Sequence, residues 1–291
     1  MGSSIIQKSL ISAALFSAVA IVPTTAHAAD LLVDPPVIEA PEVITRQSGG
    51  WYLRGDITYD IHSMENPMYS VGGAGTEKTF TSASLKNSYD LGLGIGYQIN
   101  ENFRVDLTGE YVFSSAFTGS TAGECGTYTA PGALLLADGS ALGDPNTKFS
   151  NCTSTDVSSV SALKLLANAY VDLGNFSGIT PYVGAGIGGA YVRWSDLVNT
   201  QTCTADVNVD CPVGGIPADT HAGVASWRFA YALHAGFSYD ISQNTKLDLG
   251  YTYSSIAGGD MFKWLDGSGT QGYDKGITSH VIRAGLRYQI W

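Results

Sequence analysis

Eight stretches of about ten residues, each alternating apolar with polar side chains, constrain this chain more than any other feature. The clearest is SYDLGLGIGYQIN at 88–100, where Tyr89, Leu91, Leu93, Ile95 and Tyr97 alternate with Asp90, Gly92, Gly94, Gly96 and Gln98. A period of two is a β-strand with one apolar face. The same pattern recurs at 51–60, 103–113, 161–173, 181–193, 227–240, 246–253 and 279–290. Each stretch is as long as a tilted strand must be to cross a bilayer. Short connections follow the second, fourth and sixth stretches, and four long ones separate the rest, the last of them between 253 and 279. Short turns at one end and long loops at the other are the connectivity of an outer-membrane barrel.

Alternation alone does not say which face points outward. Three features put the apolar face on lipid. Aromatics sit near its ends, at Trp51 and Tyr59, Tyr89 and Tyr97, Phe103 and Phe113, and Trp227 and Tyr239, where membrane interfaces favour them. The polar face is close to neutral: the cations Arg54, Arg104, Lys164, Arg228, Lys246, Arg283 and Arg287 stand beside the acids Asp56, Asp90, Asp106, Glu110, Asp172 and Asp248. Buried charges persist when paired, so this balance predicts a lumen packed with ion pairs. Glycines at 92, 94, 96, 184, 186 and 188 on that face suit a crowded interior. The expected fold is therefore all-β: an eight-stranded antiparallel transmembrane barrel with short periplasmic turns and long extracellular loops, too narrow for a wide channel.

The N-terminus fits export. Lys8, an apolar run and then Ala26-His27-Ala28 read as a signal peptide over 1–28. A proline-rich periplasmic leader follows at 29–49, and the barrel occupies 50–291. A formal charge of −11 argues against nucleic acid as a partner. After export no apolar run is long enough for a helical span.

Smaller motifs carry little chemistry. Cys125 with Cys152, and Cys203 with Cys211, are expected to form two disulfides within loops in an oxidising compartment. Asp206, Asn208 and Asp210 alternate like calcium ligands, but the glycine and distal glutamate of a calcium loop are missing, so they are a weak metal candidate. The RGD of Arg54-Gly55-Asp56 has both charged side chains turned to the lumen. The run Gly184 to Gly189 matches G-x-G-x-x-G without a helix after it, so no nucleotide cofactor is expected. His62 and His280 lie near the outer ends of neighbouring strands, yet no Ser-His-Asp spacing stands out. Met261, Phe262, Trp264 and Leu265 form an apolar patch expected to be exposed in the last long loop.

The segments GWYLRGDITYDI, YDLGLGIGYQIN, FRVDLTGEYVF, ITPYVGAGIGGAYV and HVIRAGLRYQIW resemble the small outer-membrane barrels of alphaproteobacteria. These belong with the opacity-like porin family, which includes major surface proteins of Brucella and rhizobia and heat-resistant agglutinins. The resemblance covers nearly all of 50–291 and implies envelope integrity, surface antigenicity and sometimes adhesion, with no shared catalytic residues. It departs at the C-terminus, where Ile290 holds the lipid-facing register and Trp291 comes one residue later. The expectation is a non-catalytic protein of a Gram-negative outer membrane with a structural or surface-interacting role. Its partners would be outer-membrane lipid, lipopolysaccharide, the barrel-assembly machinery and a host or cell-surface partner at the loops. The alternatives are a small low-conductance porin or transporter, and an adhesin acting through the loops.

Overall fold

The computed structural model describes residues 49–71, 76–126, 149–204 and 216–290. The signal segment 1–28, the leader up to residue 48, Asp206, Asn208, Asp210, Cys211 and Trp291 lie outside the described residues, as does the side chain of Cys125.

Eight long strands form one closed antiparallel ring. They are β1 (Gly50–Met64), β2 (Ser88–Gln98), β3 (Phe103–Ser120), β4 (Phe149–Asp172), β5 (Ile179–Trp194), β6 (Ala225–Asp240), β7 (Thr245–Lys263) and β8 (Thr270–Gln289). Each pairs with the next, and β8 returns to β1 through a register that runs from Tyr52 opposite Gln289 to Met64 opposite Ile277. Closure leaves no open edge among the eight, which is what hydrocarbon demands of a sheet.

The outward face is the apolar one. Leu93 keeps 75% of its surface exposed while Asp90, three residues back, keeps 0%. Exposed aromatics collect in two belts. Trp51 packs on Tyr97 at the short-turn end, and Tyr59 on Tyr89, Tyr111 on Phe113 and Tyr191 on Trp227 further up. From Trp51 to Tyr59 the chain climbs about 27 Å along the strand, or roughly 20 Å along the barrel axis at the usual tilt. That is close to the height of an outer-membrane apolar band.

The three short turns are built by their own side chains. Asn100 Oδ1 accepts hydrogen bonds from the backbone N–H of Asn102 (2.9 Å) and Phe103 (2.8 Å). Asn175 Oδ1 accepts from Gly178 N, where φ is +90° and glycine is favoured, and Ser242 Oγ accepts from Thr245 N.

At the other end the strands run past the belts, beyond what alternation predicts. β4 continues back to Phe149, β3 on to Ser120 and β7 on to Lys263. The last connection, expected to be long, shrinks to residues 264–269 because β7 and β8 stay paired almost to its tip. Shorter strands thicken this end. Met68–Val71 pairs with Thr76–Thr79, Ser82–Leu85 with β3, and Leu197–Thr204 with both β4 and Asp219–His221. Above the belts the outer face meets water, so the apolar-out pattern stops although the hydrogen-bonded ladder does not.

The inward face changes character there. On β3 a register shift between Val112 and Ser115 reverses parity, so Phe113 points out and Phe117 points in. A second shift, between Asp260 and Phe262 on β7, accompanies the burial of Met261 and Phe262, which are 1% and 4% exposed. The exposed patch expected at 261–265 is thus corrected. Met261 and Phe262 are inside, Trp264 is half-buried, and only Leu265 is exposed.

A closed ring of this kind resists detergent until heated. Unboiled protein is expected to migrate differently from boiled protein in a detergent gel; identical migration would contradict closure.

Candidate functional site

The lumen is filled in layers. Nearest the short turns, the Arg104 guanidinium lies between the rings of Tyr170 (4.0 Å to the centroid) and Tyr182 (4.7 Å), and its Nε donates to Asp172 Oδ1 at 3.1 Å. Its two terminal nitrogens have no hydrogen-bond partner among the described residues; the aromatic faces take that place. Arg287 Nη2 donates to Ser238 Oγ (2.7 Å) and to Asp248 Oδ1 (3.2 Å). Lys246 pairs with Asp240 at 2.6 Å on the rim, with 24% of its side chain still exposed.

One layer up, Arg54 is the hub. Its Nε and Nη2 grip Asp56 in a two-point fork, both at 2.9 Å, while Nη1 donates to Asp106 Oδ2 (2.9 Å) and Tyr170 Oη (3.1 Å). Asp106 also accepts from Tyr52 Oη (3.0 Å) and Asn168 Nδ2 (2.7 Å). Arg283 donates to Tyr182 Oη and lies 3.9 Å from Asp56. Such packing explains the glycines on this face: a Cβ on Gly96 would overlap the Tyr52 ring.

The next layer sets one ammonium among three carboxylates. Lys164 Nζ is 3.0 Å from Glu110, 3.2 Å from Asp90 and 3.6 Å from Asp60. Above it His62 bridges Ser88 and Ser279, 2.8 Å from each hydroxyl. His280 is on the opposite face of the sheet, its Nδ1 2.6 Å from Tyr251 Oη, so the two histidines do not meet.

Higher still the filling is apolar. Val112, Val160, Val192, Ile256 and Ile277 close the lumen, and Phe117 and Trp194 meet edge to face above them. Arg228 is buried at this end, donating to Asp274 Oδ2 (2.7 Å) and Asp260 O (2.6 Å). Over this plug lies a bowl of about 670 Å³ to which all four loop-end connections contribute.

Arg54, Asp56, Asp90, Arg104, Asp106, Glu110, Lys164, Asp172, Asp248, Arg283 and Arg287 all turn into the lumen, whereas Lys246 stays at its rim. Asp60 and Asp274 are partners that alternation did not single out, although Asp60 shares the parity of Arg54 and Asp56. Arg54 and Asp56 are 3% and 6% exposed, so the RGD tripeptide is not displayed. The expected disulfides Cys125–Cys152 and Cys203–Cys211 each have one side chain outside the described residues, and Cys152 stands opposite Cys203 across the β4 ladder. Among the described residues no cluster of His, Cys, Asp and Glu is arranged to hold a metal ion.

Comparison with known proteins agrees with this architecture. Residues 13–289 match the outer membrane protein beta-barrel domain, and the chain belongs to that family. It is 35% identical to an uncharacterised Brucella suis protein over 289 residues, covering 91% of this chain and 93% of that one. It is 30% identical to a Rickettsia akari protein named as a candidate adhesin, over 82% of this chain and 88% of that one. The solved neisserial surface protein A aligns with 83% of this chain and 97% of its own at 16% identity, with a TM-score of 0.40. The chain is thus an outer-membrane β-barrel protein, and in such barrels the short-turn end is periplasmic and the loop end extracellular.

Replacing Lys164 by Met leaves three carboxylates around no cation. Lys164→Met is expected to destabilise the folded barrel by about 3 kcal/mol or more in reversible denaturant unfolding. Lys246→Met, at the wetter rim, should cost no more than about 1 kcal/mol. Equal effects would mean that the inner layer is solvated.

Proposed function

We propose that this chain is a non-catalytic outer-membrane protein that seals its own lumen and acts at the cell surface through its extracellular end. The observation that carries this reading is the continuity of the filling. A cavity of about 20 Å³ where the Lys164 layer meets the apolar plug, and one of about 10 Å³ between Lys164 and Arg283, each have room for about one water. A solute path of porin type would need the Lys164 layer and the Phe117–Trp194 layer to part together. An enzyme is disfavoured for the same reason. His62 and Ser279 border the cavity of about 20 Å³, which admits no substrate.

The extracellular end, by contrast, carries far more ordered chain than closing a barrel requires. That investment, the candidate-adhesin name of the Rickettsia relative and the opacity-like strand motifs favour a surface-interacting role over a purely structural one. Lipid and lipopolysaccharide against the outward belts, and the assembly machinery at the terminal strand, are the partners this reading implies. Disulfides at Cys125–Cys152 and Cys203–Cys211 would brace the same end.

Two measurements test it. Refolded protein in a planar bilayer, with folding checked by gel, is expected to give no discrete conductance steps, and porin-like steps would overturn the sealed lumen. Cells of a non-adherent laboratory strain that display the chain are expected to gain adhesion to epithelial monolayers. Equal adhesion with and without it would remove the surface role.

A further inference from the structure

The barrel balances its buried carboxylates with one exception among the described residues, and the exception lines the bowl above the plug. Every other one lies near a Lys or Arg nitrogen, from 2.7 Å for Asp274 to 3.6 Å for Asp60. Asp156, 1% exposed, has only neutral donors: Ser154 Oγ at 2.6 Å and Asn199 Nδ2 at 2.5 Å. A buried carboxylate without a counter-ion acts across the protein around it, which screens charge less than water does.

The ladder brings acid to the open side of the bowl as well. Asp156, Asn199 and Asp219 stand in one row across β4, Leu197–Thr204 and Asp219–His221, and all three line the bowl. Asp219 is half-buried, and its carboxylate has no hydrogen bond or ion pair among the described residues. Asp266 adds a third acid from the β7–β8 tip, where hydrogen bonds from Ser268 hold it below the usual carboxylate range. Among the described lining residues the only Lys or Arg is Lys78, which is exposed and paired with none of the three. The loop segments outside the described residues add Lys148 against Asp138, Asp144, Asp206 and Asp210, so they do not reverse the balance.

The rest of the lining selects the kind of cation. The volume of 670 Å³ lies within the range of about 300–1,000 Å³ that small-molecule sites occupy. Phe80, Leu197 and Phe262, all buried, form the floor, and Tyr69 and Trp264 contribute half-buried rings to the wall. The tip holds its tryptophan in place: Trp264 N donates to Gly269 O at 3.0 Å, and Gly267 N to Trp264 O at 2.8 Å. A bare divalent ion needs a shell of oxygens, which an apolar floor does not supply. Aromatic faces beside carboxylates suit a cation carried on carbon. An anion would meet the acids and no guanidinium fork.

We propose that the extracellular bowl binds an organic cation, an ammonium or guanidinium on an apolar stem. Asp219 pairs with the charge, Asp156 and Asp266 add attraction without needing to touch it, and Trp264 and Tyr69 pack on the stem. A free amine and a lysine or arginine side chain of a surface protein share this chemistry. This rests on the surface role proposed above and names its ligand class.

The test uses the full-length protein in nanodiscs of zwitterionic lipid. The probe is a pentyl chain with an ammonium at one end and a fluorophore at the other, followed by fluorescence anisotropy beside its neutral N-acetylated form. Saturable binding of the ammonium form alone is expected. Asp219→Asn should weaken it about tenfold. Trp264→Leu and Asp156→Asn should each weaken it about threefold. Glu65→Gln, exposed and outside the bowl, should leave it unchanged. Each variant is checked for the heat-dependent gel shift. The proposal is overturned by no saturable binding, by equal binding of the acetylated probe, by a folded Asp219→Asn that binds like the wild type, or by a Glu65→Gln that weakens binding as much as Asp219→Asn. Displacement by a lysine-rich peptide at lower concentration than by spermidine would assign the cation to a protein, and the reverse to a free amine. The adhesion measurement separates the two claims: adhesive cells with no probe binding would remove the cation site and leave the surface role, while probe binding without adhesion would remove the role and leave the site.

Discussion

Everything in this structure answers to one constraint: charges enclosed in a lumen too narrow for bulk water must satisfy one another. Eight strands leave an interior that side chains just fill. Arg54 alone joins β1 to β3 and β4, through Asp106 and Tyr170, besides gripping Asp56 on its own strand. Such links cross the barrel rather than run along it, so they tie together staves that share no backbone hydrogen bonds. An isolated charge here would carry a desolvation cost that no single contact repays. The network therefore acts as a unit.

The charged filling cannot continue upward unchanged, because beyond the lipid belt the outside of the barrel is also wet. With water outside and a closed ring around it, the upper lumen becomes the place where apolar side chains can hide. The chain makes this change partly by placing Val192 and Trp194 on the inward parity of β5, and partly by register shifts on β3 and β7. Below, lipid takes the apolar residues; above, the interior takes them. The same ladder serves two solvents.

That inversion also decides how much the sequence reveals. The membrane-spanning strands were legible because lipid on one face and a polar lumen on the other give an unbroken period of two. Arg54, Asp106, Lys164 and Arg283 could be assigned to the lumen by counting residues. Tyr52 and Asp60 carry the same parity signal as Arg54 and Asp56, the first an aromatic and the second an acid at the end of the alternating stretch. The upper strands were not legible. A one-residue shift near Ser114 sends Phe117 inward, and nothing in alternation announces it. For the same reason Met261 and Phe262 read as an exposed patch when they are the plug. The bowl was invisible to sequence because it is made by residues from all four loop-end connections, brought together only by the extended staves.

The central claim is that the lumen is sealed from both sides, and thiol accessibility tests it most directly. Ser254 faces inward beside the small cavities on either side of the Lys164 layer, with 4% of its surface exposed. Ser268 is exposed on the bowl. In the folded protein, Ser254→Cys should stay unreactive towards a small charged thiol reagent and become reactive only after boiling, while Ser268→Cys reacts throughout. Labelling of Ser254→Cys in the folded barrel at a rate close to that of Ser268→Cys would mean that water and ions pass through the lumen, and would contradict the account.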